Sequence, residues 1–368
     1  MYKKIGIVTG GGDAPGLNAV IRAVVRTAIR QYKMDVFGIE NSFEGLLDDA
    51  MMRELKTSDV IGLLPRGGTI LGTCNTGNFC RYTSEGEVIY PEEPFEKSLE
   101  NMQRLGIEAL VVLGGEGTLG IAEQFHKRGF PIVGVPKTID NDLAATELTF
   151  GFMTAIDMAT EALDRLHTTA ESHNRVMILE VMGRNTGWIA LHAGLTGSAD
   201  VILIPEIPFV MEKVVEAVKA RDASGARFTN IVVAEGAKEL GGEEIYLESG
   251  TASKVKRLGG VGEYLRQKIE EATEKESRTV VLGHLQRGGS PNSFDRMLAT
   301  NFGACAVHSL AEGEMGKMVA LKSSKVITVP LEEAIVDIKK VTLDGQLVRT
   351  ARDIGISFGA KDEPEYVV

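Results

Sequence analysis

Short apolar runs recur along the chain, each closed by glycine or an acid and followed by a stretch with apolar residues at helical spacing. Ile5-Gly6-Ile7-Val8-Thr9 predicts a buried strand, and Gly10-Gly11-Gly12-Asp13-Ala14-Pro15-Gly16 a loop. Residues 17–32, with Leu17, Val20, Ile21, Val24, Val25, Ala28 and Ile29 on one face, predict a helix. A second strand covers 35–39. A helix over about 94–105 precedes the strand Ala109-Leu110-Val111-Val112-Leu113, the loop Gly114-Gly115-Glu116-Gly117-Thr118 and a helix over 119–127. Pro131-Ile132-Val133-Gly134-Val135 is one more strand. Pro136 has no N–H to give a ladder, so the chain is expected to leave the sheet there.

The same rhythm continues with helices over 151–169, 188–194, 209–220, 261–272 and 295–310, and strands over 176–181, 201–204, 231–234 and 279–282. Strand alternating with helix predicts an α/β fold, two lobes each built on a mainly parallel sheet flanked by helices. Residues 238 to about 260, with Gly241-Gly242, Gly250 and Gly259-Gly260, read as an insertion or long loop. No solenoid period or low-complexity tract appears.

In a parallel sheet the loops at the carboxyl ends of the strands are where ligands bind. Gly10 to Gly16 opens a helix, so its backbone N–H groups suit an anion, although it matches neither G-x-G-x-x-G nor the Walker pattern. Glu116 either holds Mg²⁺ beside phosphate or simply complements the dipole of the helix it precedes. Pro136-Lys137-Thr138-Ile139-Asp140-Asn141-Asp142 presents two carboxylates, a hydroxyl and an amine, which suit proton transfer, a divalent cation and a phosphate. The competing reading is a polar connection in which Asp142 caps a helix. A second glycine-bounded segment, Arg66 to Thr73, leads into the polar stretch around Cys74 to Arg81.

Composition removes several classes. The 368 residues carry a net charge of −11, which argues against a general nucleic-acid binder without opposing small anionic substrates. Three cysteines, Cys74, Cys80 and Cys305, are too few and too irregular for a disulfide framework or zinc site. No apolar run approaches the roughly 20 residues that span a membrane, and Met1-Tyr2-Lys3-Lys4 runs straight into a strand without a signal peptide. A cytoplasmic protein is expected.

Taken together, Gly10 to Asn18, Gly114 to Thr118, Pro136 to Asp142, Met182-Gly183-Arg184 and Gly283-His284-Leu285-Gln286-Arg287-Gly288-Gly289-Ser290-Pro291 resemble the successive motifs of the 6-phosphofructokinases, from residue 4 to roughly 320. The resemblance implies a donor-binding lobe of 1–150 plus about 286–335, and a sugar-phosphate lobe of about 151–285 plus the tail 336–368. It implies Mg²⁺-dependent transfer from ATP, or from pyrophosphate, to the 1-hydroxyl of fructose 6-phosphate. Asp140 would be the base, Thr138 would touch the transferred phosphoryl group and Arg184 would neutralise its charge. Gly11 would donate its N–H to the donor's phosphates, with Arg81, Gly115, Glu116, Gly117 and Thr118 also on the donor and Glu116 serving the metal. Substrate contacts would come from Thr138, Ile139, Asp140, Met182, Gly183, Arg184, Glu235 and the run His284, Leu285, Gln286, Arg287. Arg175 and Arg278 would reach in from a neighbouring subunit, making a dimer or tetramer with shared sites.

Departures from the family pattern bear on the donor. Relatives using pyrophosphate tend to carry Asp where this chain has Gly117 and Lys where it has Lys137, whereas many ATP users have Gly at both. An acid at 117 would crowd a nucleotide's α-phosphate, so Gly117 carries more weight and favours ATP. Asn75 stands where many relatives have a donor-binding arginine. Arg22, Arg26 and Glu206 match an effector site of bacterial relatives, but His167 replaces an arginine there, so regulation by nucleotide diphosphate or phosphoenolpyruvate is expected to be weak or absent. A non-catalytic sugar-phosphate sensor needs Asp140 lost, and a dinucleotide oxidoreductase needs the missing G-x-G-x-x-G; both fit less well.

Overall fold

The computed structural model describes residues 2–75, 77–83, 88–243, 246–248 and 257–363. They form two compact units, Met1–Thr154 with Arg287–Ile338, and Ala155–Gln286 with Lys339–Val368.

The first unit is built on a mixed sheet. At its centre lie four parallel strands in the order Ile132–Thr138, Ala109–Gly114, Lys4–Thr9 and Asp35–Ile39. Ala109–Gly114 and Ile132–Thr138 are buried at every residue, which is why their sequences are continuously apolar rather than alternating. Both flanks are closed by antiparallel pairs: Met52–Leu55 on Asp35–Ile39, and Lys317–Lys322 with Lys325–Pro330 beside Ile132–Thr138. Helix Leu17–Thr27 lies against Ser293–Ala311, and Gly303 permits the approach, since a Cβ there would stand 2.7 Å from the Val20 carbonyl oxygen. A π turn, Ala28–Tyr32, ends the first helix, and Lys33 takes the left-handed conformation that lets the chain enter the next strand.

Two expectations for this unit need correction. Strand Ile132–Thr138 runs through Pro136 instead of ending before it. Pro136 opposes Gly114, the last residue of its neighbour, so the missing N–H falls where that ladder stops. Lys137 and Thr138 then pair with Phe150 and Gly151 of a short strand, and the loop begins only at Ile139. The helix expected from 119 starts at Glu116, placing that carboxylate inside the first turn.

The second unit carries a four-stranded, wholly parallel sheet in the order Val201–Leu203, Thr229–Ala234, Val176–Val181 and Ser277–Val281. Glu180 is buried on the central strand, and its carboxylate accepts the N–H groups of Gly260 and Gly262, capping helix Val261–Thr273. Helix Met211–Ala223 starts later than 209, because the Phe209 N–H and carbonyl are engaged by Lys238 and Leu240. Within the stretch read as an insertion, Tyr246–Glu248 and Arg257–Leu258 pair antiparallel; residues 244–245 and 249–256 lie outside the described residues, as do 364–368 of the tail. The tail is tied in by helix Gln346–Asp353 and by Ser357, whose N–H donates to the Asp200 carbonyl while its own carbonyl accepts from Ile202. Among the described residues no helix is long and apolar enough to cross a membrane.

Candidate active site

A cavity of about 270 Å³ lies at the carboxyl edge of the large sheet. Its lining includes Gly11, Gly12, Asn75, Gly115, Glu116, Gly117, Thr118, Lys137, Thr138, Asp140 and Arg287. Most of the donor-side residues named from the motifs therefore share one space. The glycine loop can bend so tightly because Gly11 has φ +74, and a Cβ on it would crowd Lys137 Nζ and Thr118 Oγ1, each at 3.3 Å. Gly12 faces Arg287, whose guanidinium donates to the Asp13 carbonyl at 3.2 Å. The Gly11 N–H is already given to the Cys74 carbonyl at 3.1 Å, so the expected donation to a phosphate requires that bond to break.

Lys137 is buried, and its amine donates to the Gly12 carbonyl. Burial, reinforced by the nearby Arg287 charge, pulls its pKa down to about 8. Asp140 behaves oppositely. Burial and then the Asp142 carboxylate raise its proton affinity well above the usual carboxylate range, while Arg287, Lys137 and the Thr138 hydroxyl pull it back. Bonds between side chains and backbone lock the loop: Asp140 N–H donates to Thr138 Oγ1 at 3.0 Å, Thr149 Oγ1 to the Thr138 carbonyl at 2.7 Å, and Thr149 N–H to Asn141 Oδ1 at 3.1 Å. Asn141 takes φ +52 there, a conformation its short polar side chain tolerates.

Glu116 has its proton affinity raised by partial burial and then by Asp142. A carboxylate facing the cavity beside a second negative charge fits a divalent cation, which commonly keeps waters and takes one or two carboxylates plus phosphate oxygens. Among the described residues no cluster of three or more ligating side chains supplies a closed metal cage. Gly117 meets nothing within 4 Å of a built Cβ, so the space in front of it is open.

Some expected residues are elsewhere. Arg81 is exposed on a two-residue strand and does not line the cavity, although its neighbour Cys80 does. Ile139 is in the core. Ser42, Phe43, Glu44 and Phe79 line the cavity and were not anticipated. Glu44 accepts from the Asn78 N–H and side-chain amide, which anchors residues 77–80. The one sequence signal was position: Ser42, Phe43 and Glu44 follow the end of strand Asp35–Ile39, at the edge where the other loops gather, and Phe79 lies in the polar stretch from Cys74 to Arg81.

In the second unit, Met182, Gly183 and Arg184 follow strand Val176–Val181, Glu235 follows Thr229–Ala234, and His284 to Gln286 follow Ser277–Val281. All leave the carboxyl edge of the small sheet. Arg184, His284 and Leu285 are exposed, whereas Gln286 is buried. Arg175 and Arg278 belong to the opposite, amino edge, where both pair with Glu276, Arg175 through Nε at 2.6 Å. Glu206 accepts from Gly187 and Val341 N–H groups, so its carboxylate already serves the fold.

A family model described as Phosphofructokinase matches residues 4–310. The chain is 55% identical over 357 residues to an ATP-dependent 6-phosphofructokinase of Chloroflexus aurantiacus, covering 97% of this chain and 98% of that one. It is 48% identical over 359 residues to a pyrophosphate–fructose 6-phosphate 1-phosphotransferase of Streptomyces coelicolor, covering 97% and 100%. Among solved structures it resembles the Pichia pastoris phosphofructokinase in the T-state, with a TM-score of 0.79 and 34% identity, over 91% of this chain and 36% of that longer one.

Proposed function

Because the chain belongs to the phosphofructokinase family, we propose that it transfers the terminal phosphoryl group of ATP to the 1-hydroxyl of fructose 6-phosphate, giving fructose 1,6-bisphosphate and ADP. The observation that carries this reading is Asp140, a carboxylate with raised proton affinity in one cavity with the glycine loop, Lys137 and Arg287. Its oxygen takes the proton of the 1-hydroxyl as the new O–P bond forms and the bond to the β-phosphate's bridging oxygen breaks. A base whose pKa lies nearer the working pH is the better proton acceptor from an alcohol. Charge at the transferred group is spread over its oxygens, so positioning and electrostatics do most of the remaining work. Thr138 and Arg184 serve that charge, and Gly11, Gly115, Gly117 and Thr118 hold the donor. Magnesium, held through Glu116, would offset phosphate charge. Met182, Gly183, Glu235 and the turn from His284 to Arg287 bind the sugar phosphate, and Arg175 and Arg278 act on a neighbouring subunit's site. The enzyme works as a cytoplasmic homo-oligomer.

Two facts favour ATP over pyrophosphate. Relatives at 51–55% identity over nearly the whole chain carry ATP-dependent names, and the open space at Gly117 leaves room for a nucleotide. The buried amine of Lys137 favours the second reading, as do relatives at 48–51% identity named for pyrophosphate. Parallel assays of fructose 6-phosphate phosphorylation with Mg²⁺ and either donor decide it. Turnover with ATP alone supports the proposal, pyrophosphate alone moves the donor to the second reading, and turnover with neither overturns both.

A further inference from the structure

Gln286 is 1% exposed, at the end of the turn that follows strand Ser277–Val281. Its Oε1 accepts the Met182 N–H at 2.7 Å, the first residue after the neighbouring parallel strand Val176–Val181. That bond fixes which way the amide faces, because turning it over would set its NH₂ against another donor. The Nε2 side is buried and has no acceptor among the described residues. A buried donor left unpaired is costly, and an apolar side chain of the same volume would avoid the cost. Stability alone therefore does not account for an amide here; its oxygen does something a methionine or leucine could not.

We propose that Gln286 is a positioning residue for sugar-phosphate binding, tying the Met182-Gly183-Arg184 turn to the His284–Arg287 turn so that both hold one register. The inference rests on the sugar-phosphate reading of those two turns. The strands beneath them are joined in register up to Val281 and Glu180, and the Leu282 N–H continues the ladder onto the Glu180 carbonyl. Beyond that point the Gln286 amide takes over from the ladder, where the pairing of the two strands ends. Gly183, at φ +141, is held on its other side by the Gly236 N–H to its carbonyl, so Met182 is the side of the turn that needs a tether.

The test uses the full-length protein. Gln286→Met keeps the volume and removes the acceptor; Gln286→Asn keeps an amide but falls one methylene short of Met182. Both are expected to raise KM for fructose 6-phosphate by about tenfold, with KM for ATP within about twofold, as loss of one oriented contact set predicts. Hydrogen exchange read by mass spectrometry should quicken at 182–184 while the strand 176–181 stays protected. Unchanged KM for the sugar phosphate in both variants overturns the proposal, as does an equal loss toward both substrates or exchange that quickens across the whole unit. The exchange measurement needs no turnover, so a parent protein that fails to phosphorylate fructose 6-phosphate sinks the functional reading while the tie is still tested.

Discussion

Asp140 puts activity and stability in opposition within one side chain. Its proton affinity in the folded protein is raised by burial and by Asp142, so the folded state holds a proton that the unfolded state would release. Linkage then gives the sign: the ionised carboxylate destabilises the fold, fully so above its folded pKa, and the penalty vanishes below the unfolded value. Asp140→Asn should therefore lower kcat by roughly 10²–10⁴-fold while the melting temperature at pH 8 stays level or rises. Calorimetric binding of fructose 6-phosphate should survive, and a clear loss of melting temperature would contradict the burial argument. The same shift predicts that kcat/KM falls on acidification at a pH above the ordinary carboxylate range, with that limb missing in Asp140→Asn. Gly117 offers a second test. With nothing within 4 Å of a built Cβ and a place in the first turn of helix Glu116–Lys127, Gly117→Asp should fold normally. Its KM for ATP should rise sharply, and an unchanged value would mean the nucleotide does not pass Gly117. At this scale the motifs singled out Lys137, Thr138 and Asp140, which line the cavity, and Arg287, which was expected on the sugar phosphate and lines the same cavity. Ser42, Phe43 and Phe79 went unseen, since nothing in their spacing separates them from core.

At the scale of elements, apolar runs and helical spacing located the parallel strands at the centre of both sheets and the helices that connect them, because such strands are buried and read as unbroken apolar stretches, but not the flanking strands or the tail helices Leu331–Ile335 and Gln346–Asp353. What periodicity could not give was how the ends are held. Pro136 was expected to end its strand, yet the neighbour it faces stops at Gly114, a fact that only pairing reveals. The edge strands Met52–Leu55 and Lys325–Pro330 alternate or carry charge and were not anticipated. Glu180 is the sharpest case: an acid within an apolar strand, explained only once its carboxylate is found on the N–H groups of Gly260 and Gly262. Removing it leaves two helix-end donors without a partner. Glu180→Ala should destabilise the protein by about 2–3 kcal/mol, read as a lower urea midpoint at unchanged slope. A shift below about 0.5 kcal/mol would show that water replaces the cap at little cost.

For the whole molecule, the two edges of the small sheet support the proposed sharing of sites between subunits. Met182, Glu235 and His284 leave its carboxyl edge, while Arg175 precedes strand Val176–Val181 and Arg278 is the second residue of Ser277–Val281. Six residues of extended chain separate the two edges by roughly 20 Å, well beyond the reach of an arginine side chain. Both arginines are instead gathered on Glu276, which lowers that carboxyl's proton affinity first through Arg175. Two forked cations held together at a surface suit a phosphate, and on the proposed reading that phosphate sits in the site of another copy of the chain. The prediction is complementation. Asp140→Asn and the double variant Arg175→Ala with Arg278→Ala should each be nearly inactive at a fructose 6-phosphate concentration near the parent's KM. Refolded together, they form hybrids in which one site pairs an intact Asp140 with an intact arginine pair. For a dimer with random mixing and reciprocal exchange of arginines, the recovered activity should approach about a quarter of the parent's. Activity no greater than the sum of the separate variants would mean that each subunit's arginines serve its own site, or none.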